Sequence, residues 1–451
     1  MNDDIFRAYD IRGIYGSDLN EDIAYSVGRA FGTLLKRENK NITVVGYDNR
    51  ISSPILFKSL VNGILDCGID VIDIGLVTTP MYYFSWYLFK ITSGIMITAS
   101  HNPKEYNGFK ISFNGLHNAF GEDIQKFKDS IKSNNFVSGN GKIIIENIKE
   151  RYINFLLSSI KLGNRKLNIV IDSGNGTSSI IVKNIFDRLN IDYVSLFTDS
   201  NPDFPNHEPD PSVRSNMKTL SETVLKENAD IGFAYDGDAD RIGLVDELGN
   251  FISIDKFMIV IIRDMFNKYN DKRIVFDVKC SKALEDEILK LGGTPICIRT
   301  GNSYLRAKVV ETNVKFAGEL SGHVCFNDKF LGYDDGIYAS LRMIEILSNT
   351  NLKVSELLEG INKYYSTDEI KVRVTDDTKF GIVNEVIKYC KNKNYKYLDI
   401  DGCKAIFDDG FALIRASNTG PNLTLRFEGK TENRLNEIKE EALMDLIYIE
   451  N

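Results

Sequence analysis

The sequence is poor in the residues that build metal clusters and disulfide frameworks. Six cysteines (Cys67, Cys280, Cys297, Cys325, Cys390, Cys403) are scattered over 451 residues with no CxxC pair. That excludes a zinc ribbon and a disulfide-stapled fold, and reads as the reduced thiols of a cytoplasmic protein. Only four histidines and nine prolines are present, and no Pro-rich, Gly/Ser-rich or single-sign linker interrupts the chain. Positive charge is not in excess: 55 Lys and Arg against 63 Asp and Glu leave a net charge of −8. The surface as a whole lacks the field that would gather nucleic acid or anionic lipid, though a local basic pocket for a small anion stays open. The first residues, MNDDIFRAYD, carry acid where a signal peptide needs a basic flank and an apolar core, so no export signal is expected. The longest uncharged apolar stretch, residues 74–89, is interrupted by Pro80 and falls short of the ~20 residues of a membrane span.

What is present has the composition of a globular protein, 43% hydrophobic and 26% charged, in a chain about three times the ~150 residues of one domain. Three segments share one plan: ITVVGYDNR (residues 42–50), LNIVIDSGNG (167–176) and RIVFDVKCS (273–281). Each is a β-branched apolar run ending in an Asp and a polar loop, followed by a helix-like stretch and a second strand-like run. This is a βαβ unit, and its continuous apolar strands suit a sheet covered by helices on both faces. From about Thr367 short strands (IKVRVTD, ALIRAS, LTLRFEG) alternate with helices such as FGIVNEVIKYCKN, which suggests a small α+β domain. The expected division is 1–148, 149–252 and 253–366 for three α/β domains and 367–451 for the last, packed around a cleft.

Four loops carry groups with chemistry. The strand-like SGIMITA runs into Ser100-His101-Asn102-Pro103. A serine exposed at a strand's carboxyl end could be a nucleophile, with His101, Lys104 and Lys110 nearby to supply protons or charge; a simple strand cap is the alternative. IGFAY opens into Asp236-Gly237-Asp238-Ala239-Asp240-Arg241, where carboxylates at i, i+2 and i+4 of an extended segment lie on one side and call for a hard divalent cation. An EF-hand would need Gly where Arg241 stands, although Glu247 occupies its twelfth position; an acidic surface turn is the other alternative. Glu319, Ser321 and His323 in GELSGH suit a polyol, or a Gly-flanked turn with a structural histidine. Arg415, Ser417, Asn418 and Thr419 in RASNTGP form a donor array for a phosphate, or an ordinary hairpin turn. Four polar loops of complementary chemistry, one per expected domain, read as one shared cleft.

In combination these segments resemble the α-D-phosphohexomutases, in particular the bacterial phosphomannomutase/phosphoglucomutase branch. FRAYDIRG (residues 6–13), TASHNP with NGFK (98–110), DGDADR (236–241), GELSGH (318–323) and RASNTGP (415–421) occur in family order along nearly the whole chain. The resemblance implies a monomer of four domains, the first three topologically similar α/β units with mixed sheets. It implies an enzyme interconverting hexose 1-phosphate and hexose 6-phosphate, of mannose or glucose, with Mg²⁺ as cofactor and a hexose 1,6-bisphosphate as activator. Ser100 would be phosphorylated, and Asp236, Asp238 and Asp240 would hold Mg²⁺ with an oxygen of its phosphate. Arg12, Arg241 and Lys110 would line the transfer point, with Lys110 and His323 as acid/base candidates and His101 beside the serine. Tyr9, Lys279, Thr300, Gly301, Asn302, Glu319 and Ser321 would form the sugar wall, and Arg415, Ser417, Asn418 and Thr419 the clamp for the phosphate that does not react.

The sequence departs from that pattern at Asn302, where relatives often carry His, and at Leu320, where they often carry Met. Glucosamine mutases usually have Gln or Arg at the latter position. Rival readings are a phosphoglucosamine mutase, a metal-dependent phosphomonoesterase using the same serine, and a non-catalytic sugar-phosphate sensor.

Overall fold

A computed structural model of the chain describes residues 2–113, 115, 117–375, 378–417 and 422–450, with residues 444–450 described as backbone only. The first sheet contains β1 (Ile11–Ile14), β2 (Ile42–Tyr47), β3 (Asp70–Leu76), β4 (Gly94–Ile97), β5 (Tyr106–Ser112) and β6 (Ile143–Ile145), in the order β1-β5-β4-β2-β3-β6. The second contains β7 (Asn168–Asp172), β8 (Asp192–Leu196), β9 (Ile231–Tyr235), β10 (Ile242–Asp246) and β11 (Phe251–Ile252), ordered β11-β10-β9-β7-β8. The third contains β12 (Arg273–Asp277), β13 (Thr294–Ile298), β14 (Phe316–Gly318) and β15 (Val324–Phe326), ordered β13-β12-β14-β15.

One four-strand unit recurs in all three. A central strand pairs in parallel with the next strand on one side and the following strand on the other, and the latter turns back into an antiparallel partner. The series are β3-β2-β4-β5, β8-β7-β9-β10 and β13-β12-β14-β15. The repeat seen in the sequence is therefore a repeat of topology. The fourth sheet is antiparallel throughout: β16 (Tyr365–Ser366), β17 (Ile370–Arg373), β18 (Lys396–Leu398), β19 (Cys403–Phe407), β20 (Gly410–Ala416) and β21 (Asn422–Gly429), flanked by helices Lys379–Asn392 and Glu432–Glu450.

Packing joins the first three sheets and leaves the fourth more separate. The apolar stretch 74–89 folds as the end of β3 and helix Thr79–Phe89, started by Pro80 and capped by the Thr78 hydroxyl on the Met81 N–H. Its residues Tyr82, Tyr83 and Trp86 are buried in the same core as Ile169, Phe233, Phe316 and Tyr338, a core shared by three sheets. That burial explains a helix apolar on every side. No helix among the described residues is long and apolar enough to cross a membrane. The C-terminal sheet has its own core, including Val386, Leu425 and Phe427, and meets the third sheet through a small cluster of Val278, Phe411 and Leu413.

Candidate active site

Three of the four proposed loops sit at equivalent places in the repeated unit, where its third strand turns into its fourth: β4 to β5, β9 to β10 and β14 to β15. After β4 the backbone reaches Ser100 with φ +52°, a left-handed conformation that costs a non-glycine residue about 1–2 kcal/mol. Two contacts hold it there. The Ser100 N–H donates to Thr98 Oγ1 at 2.8 Å, and Arg50 Nη2 donates to the Ser100 carbonyl at 2.9 Å. The same guanidinium donates to the carbonyls of Asn102 (2.6 Å), Pro103 (2.6 Å) and Tyr106 (3.2 Å) and is oriented by Asp48. The Ser100 hydroxyl donates to Asp236 Oδ2 at 2.7 Å and lies 3.3 Å from His101 Nδ1. Burial, then the charges of Arg241 and Arg12, push the His101 pKa well down, so its imidazole is neutral.

The aspartates do not lie on an extended segment, as the sequence reading expected. Residues 236–240 form a tight turn with Ala239 at φ +65°, and it is the curl of this turn that brings the carboxylates together, their oxygens within 4.8 Å of one another. Gly237 is required by proximity: a Cβ there would stand 2.5 Å from the Ser100 carbonyl oxygen. All three aspartates are fully buried, which removes the surface-turn alternative. The EF-hand alternative fails as well, because strands flank the loop and Glu247 bonds the backbone and hydroxyl of Ser355 instead.

Three buried carboxylates meet one buried ammonium. Lys110 Nζ lies 2.7 Å from Asp238 Oδ2 and 2.5 Å from Asp240 Oδ2. Burial opposes the lysine charge, but the two carboxylates outweigh it and hold its pKa well above the usual value. Burial likewise opposes ionisation of Asp238, yet Lys110 and then the Thr79 hydroxyl (2.6 Å) hold this carboxyl below the usual range; the Thr98 hydroxyl also donates to it at 3.1 Å. Asp236 and Asp240 are pushed up by burial and by the neighbouring carboxylate charges. Asp238 Oδ1 and Asp240 Oδ1 are buried and make no hydrogen bond. Orphaned carboxylate oxygens in an all-oxygen set fit a hard divalent cation such as Mg²⁺.

Cations line the rim above this cluster. Arg12 donates to Asn102 Oδ1 at 2.6 Å and to Asp10 at 2.5 Å. The Arg241 N–H donates to Asp236 Oδ1, while its Nε–H donates to His323 Nε2 at 3.0 Å. His323 Nδ1 lies 2.7 Å from Asp334 Oδ2, so the ring proton sits on Nδ1 and the Nε2 lone pair faces Arg241. Asn302 also turns its amide nitrogen to Asp334, and its side chain joins this buried group. Lys104, expected near the serine, is half exposed and pairs with Asp203 instead, outside the site.

The groups expected to form the sugar wall are bound into the loops that present them. Gly301 N–H donates to Glu319 Oε1 at 2.6 Å, the Ser321 hydroxyl to Glu319 Oε2 at 3.0 Å, and the Thr300 hydroxyl to Asp277 at 2.8 Å. Burial and then Asp277 push the Glu319 pKa up. Lys279 pairs with Glu369 at 3.0 Å. Arg415 Nε donates to Asp401 Oδ2 at 2.9 Å, and the Ser417 N–H to the Asn422 carbonyl. Asn418 and Thr419 lie outside the described residues. Tyr9, Arg12, Ser100, His101, Lys110, Arg241, Lys279, Thr300, Gly301, Asn302, Glu319, Ser321, His323, Arg415 and Ser417 all line one cleft of about 1160 Å³.

The phosphoglucomutase/phosphomannomutase models match the chain in four consecutive pieces: α/β/α domain I at residues 3–138, domain II at 150–249, domain III at 253–364 and the C-terminal domain at 369–443. The chain belongs to this family. A phosphomannomutase/phosphoglucomutase of Pseudomonas syringae pv. tomato is 39% identical over 97% of this chain and 94% of its own. A phosphoglucomutase of Neisseria gonorrhoeae is 37% identical over 97% and 95%. Among solved structures, a phosphoglucomutase/phosphomannomutase family protein of Burkholderia thailandensis superposes with a TM-score of 0.92 at 35% identity, covering 99% of this chain and 97% of that one. The chain is thus a phosphohexomutase, an enzyme of carbohydrate metabolism.

Within this phosphohexomutase the sequence reading missed the residues behind the site. Arg50, Asp277, Asp334 and Asp401 touch predicted site residues or the loops that carry them. One signal was available: Asp172 and Asp277 end, and Asp48 directly follows, the first strand of the repeat, and each accepts bonds from the loop beyond it. Nothing local in the sequence marks Asp334 or Asp401.

Proposed function

We propose that the chain interconverts hexose 1-phosphate and hexose 6-phosphate, of mannose or glucose or both, through phosphorylated Ser100 and a bisphosphorylated sugar. The reading is carried by one observation: Ser100, 2.7 Å from Asp236, and Arg415, held by Asp401, line the same cleft. A donor and a distal phosphate clamp in one cavity suit a mutase, whereas a phosphomonoesterase needs only the donor.

In the first half-reaction the P–O bond to Ser100 breaks and a P–O bond to the free sugar hydroxyl forms, with the hydroxyl proton passing to the protein. His323 is the candidate to take that proton, through its Nε2 lone pair with Asp334 behind the ring, and Lys110, held as an ammonium by Asp238 and Asp240, is the candidate acid that returns a proton to the released Ser100 oxygen. Arg12, Arg241 and Lys110 neutralise the oxygens of the transferring group, and in-line positioning does much of the rest. Asp236, Asp238 and Asp240, with an oxygen of the serine phosphate, would hold Mg²⁺, which supplies further neutralisation of phosphoryl charge. The bisphosphate then turns end for end, Arg415 and Ser417 hold the other phosphate, and Ser100 takes back the second phosphoryl group. A hexose 1,6-bisphosphate serves as activator by phosphorylating resting enzyme. Closure of the C-terminal domain over the sugar keeps water from the phosphoserine.

Leu320 supports a neutral hexose over an amino sugar. We divide the chain into domains at 1–148, 149–252, 253–366 and 367–451; β16, which pairs with β21 in the fourth sheet, lies just before the last limit. We take the enzyme to act as a monomer in the cytoplasm, on small sugar phosphates and apart from nucleic acid and membranes. Coupled assays with mannose 1-phosphate, glucose 1-phosphate and glucosamine 1-phosphate, each with and without bisphosphate primer, test the reading. Turnover of the first two with stimulation by primer is expected. Inorganic phosphate released as fast as hexose 6-phosphate forms would favour the hydrolase.

A further inference from the structure

Asp401 joins two domains through one oxygen. Its Oδ2 accepts from Arg415 Nε at 2.9 Å, within the C-terminal domain, and from the backbone N–H of Thr300 at 3.1 Å, in the third. The carboxylate is buried, and so is Arg415. The local backbone is shaped for this contact. Gly402 has φ +83°, and a Cβ at that position would stand 2.4 Å from the Ile414 carbonyl oxygen and 2.6 Å from Arg415 Cα. Only glycine lets the turn before β19 lie that close to β20, which puts Asp401 beside the Arg415 guanidinium.

On the far side, the Thr300–Gly301 backbone is suspended between two carboxylates. Thr300 N–H points to Asp401, Gly301 N–H to Glu319, and the Thr300 hydroxyl to Asp277. A second tie runs parallel: buried Lys404, on β19, donates to the carbonyls of Val278 (2.7 Å) and Cys280 (3.3 Å), which flank Lys279. β19 and the turn before it therefore grip two of the three third-domain loops that face the sugar, and a small apolar cluster around Val278 adds to the contact between these domains.

We propose that Asp401 is a positioning residue that makes two events one: docking of the C-terminal domain, which brings Arg415 to the distal phosphate, and ordering of the Thr300–Gly301 loop against the sugar. This rests on the mutase reading for the identity of the distal phosphate. When the domain is away, Asp401 keeps Arg415 but Thr300 N–H loses its acceptor, and with it one end of the loop that Glu319 holds at the other. A sugar phosphate bound by Arg415 thus stabilises the loop that contacts its hydroxyls, and the loop in turn favours the docked domain.

The test uses the full-length chain with Asp401→Ala, Asp401→Asn, Arg415→Ala and the Asp401→Ala/Arg415→Ala double variant. Amide hydrogen exchange at Thr300, resolved from Gly301, is read first because it does not require turnover. Exchange at Thr300 should rise by ten-fold or more in Asp401→Ala and by less in Asp401→Asn, with circular dichroism unchanged. Kinetics with hexose 1-phosphate are read second: KM should rise ten-fold or more in Asp401→Ala with a smaller change in kcat, and the double variant should be no worse than Arg415→Ala alone. Unchanged Thr300 exchange, or effects that multiply in the double variant, would overturn the proposal. If Asp401→Ala does not fold, the isosteric Asp401→Asn decides, and wild-type exchange together with wild-type KM in that variant counts against it. If the wild-type chain turns over no hexose phosphate, the mutase reading falls, while the exchange result still decides whether Asp401 couples the two loops.

Discussion

Arg50 Nη2 lies 2.9 Å from the carbonyl oxygen of Ser100, on a guanidinium with no exposed surface. Five hydrogen bonds from one rigid planar group, four to carbonyls of residues 100–106 and one to Asp48, fix the shape of the serine loop. A lysine ammonium has three donors and no fork, so Arg50→Lys leaves buried acceptors unpaired. We expect this variant to lose about 1–3 kcal/mol of stability for each acceptor left unpaired and to accept phosphate on Ser100 at least ten-fold more slowly. Calorimetry and labelling by hexose bisphosphate would measure the two effects. Wild-type behaviour in both would mean that the loop keeps its shape unaided.

Removing the hydroxyl that donates to Asp236 should separate chemistry from folding. Ser100→Ala is expected to reduce turnover by roughly 10³-fold or more while leaving secondary structure intact, since a small loop side chain is lost and no core opens. Ser100→Gly should be equally inactive yet more stable than Ser100→Ala by about 1 kcal/mol, because glycine occupies φ +52° without strain. Residual activity of a few per cent in either variant would sink the covalent route, and equal melting temperatures would show that the loop is unstrained.

Ser100, the aspartates and Glu319 were legible in the sequence because each lies in a short polar loop directly after an apolar strand, and strand ends in α/β sheets are where ligands bind. The topology was legible for the same reason, as three strand–loop–helix–strand units in a row. Contacts that cross between units were not: Arg50 reads as an ordinary loop residue until the fold places it under residues 100–106. The convergence of Asp236, Asp238 and Asp240 was foreseen for a wrong local reason, an extended segment, where the actual cause is a turn with Ala239 in the left-handed region. Lys104 is expected near Ser100 together with Lys110, but it pairs with Asp203 of the second domain instead.

Among the described residues, Lys110 is the only ammonium bonded to the aspartates, and it bonds two of the three. Lys110→Met should therefore leave the metal-free protein less stable, since three buried carboxylates would repel one another without it. Added Mg²⁺ should then raise the melting temperature of this variant more than that of the wild type. Turnover should fall by about 10²-fold or more, as expected when a positioned cation is taken from a phosphoryl-transfer site. For the wild type, chelation by EDTA should stop the reaction and Mg²⁺ should restore it. An identical Mg²⁺ shift in both proteins would count against the aspartates as the cation site.

A pH effect is expected away from the catalytic cluster, at His207. Burial alone would lower the pKa of this imidazole, but the hydrogen bond and charge of Asp172 outweigh it, helped by the Glu208 carbonyl and carboxylate, and the value is raised. The edge of the Phe197 ring packs on it from the loop after β8. A group whose pKa is higher in the folded than in the unfolded state binds protons more tightly when folded. Its contribution is therefore complete below the unfolded value of about 6.5 and disappears as pH rises through the folded value. The melting temperature of wild type minus that of His207→Ala should accordingly be larger at pH 5.5 than at pH 8.5. Asp172→Asn should flatten that difference by removing the charge that raises the pKa. A gap that is constant with pH would mean that folding leaves the pKa of His207 unchanged, and one that widens towards alkali would mean that the ring is neutral in the folded protein across this range; either outcome overturns the prediction.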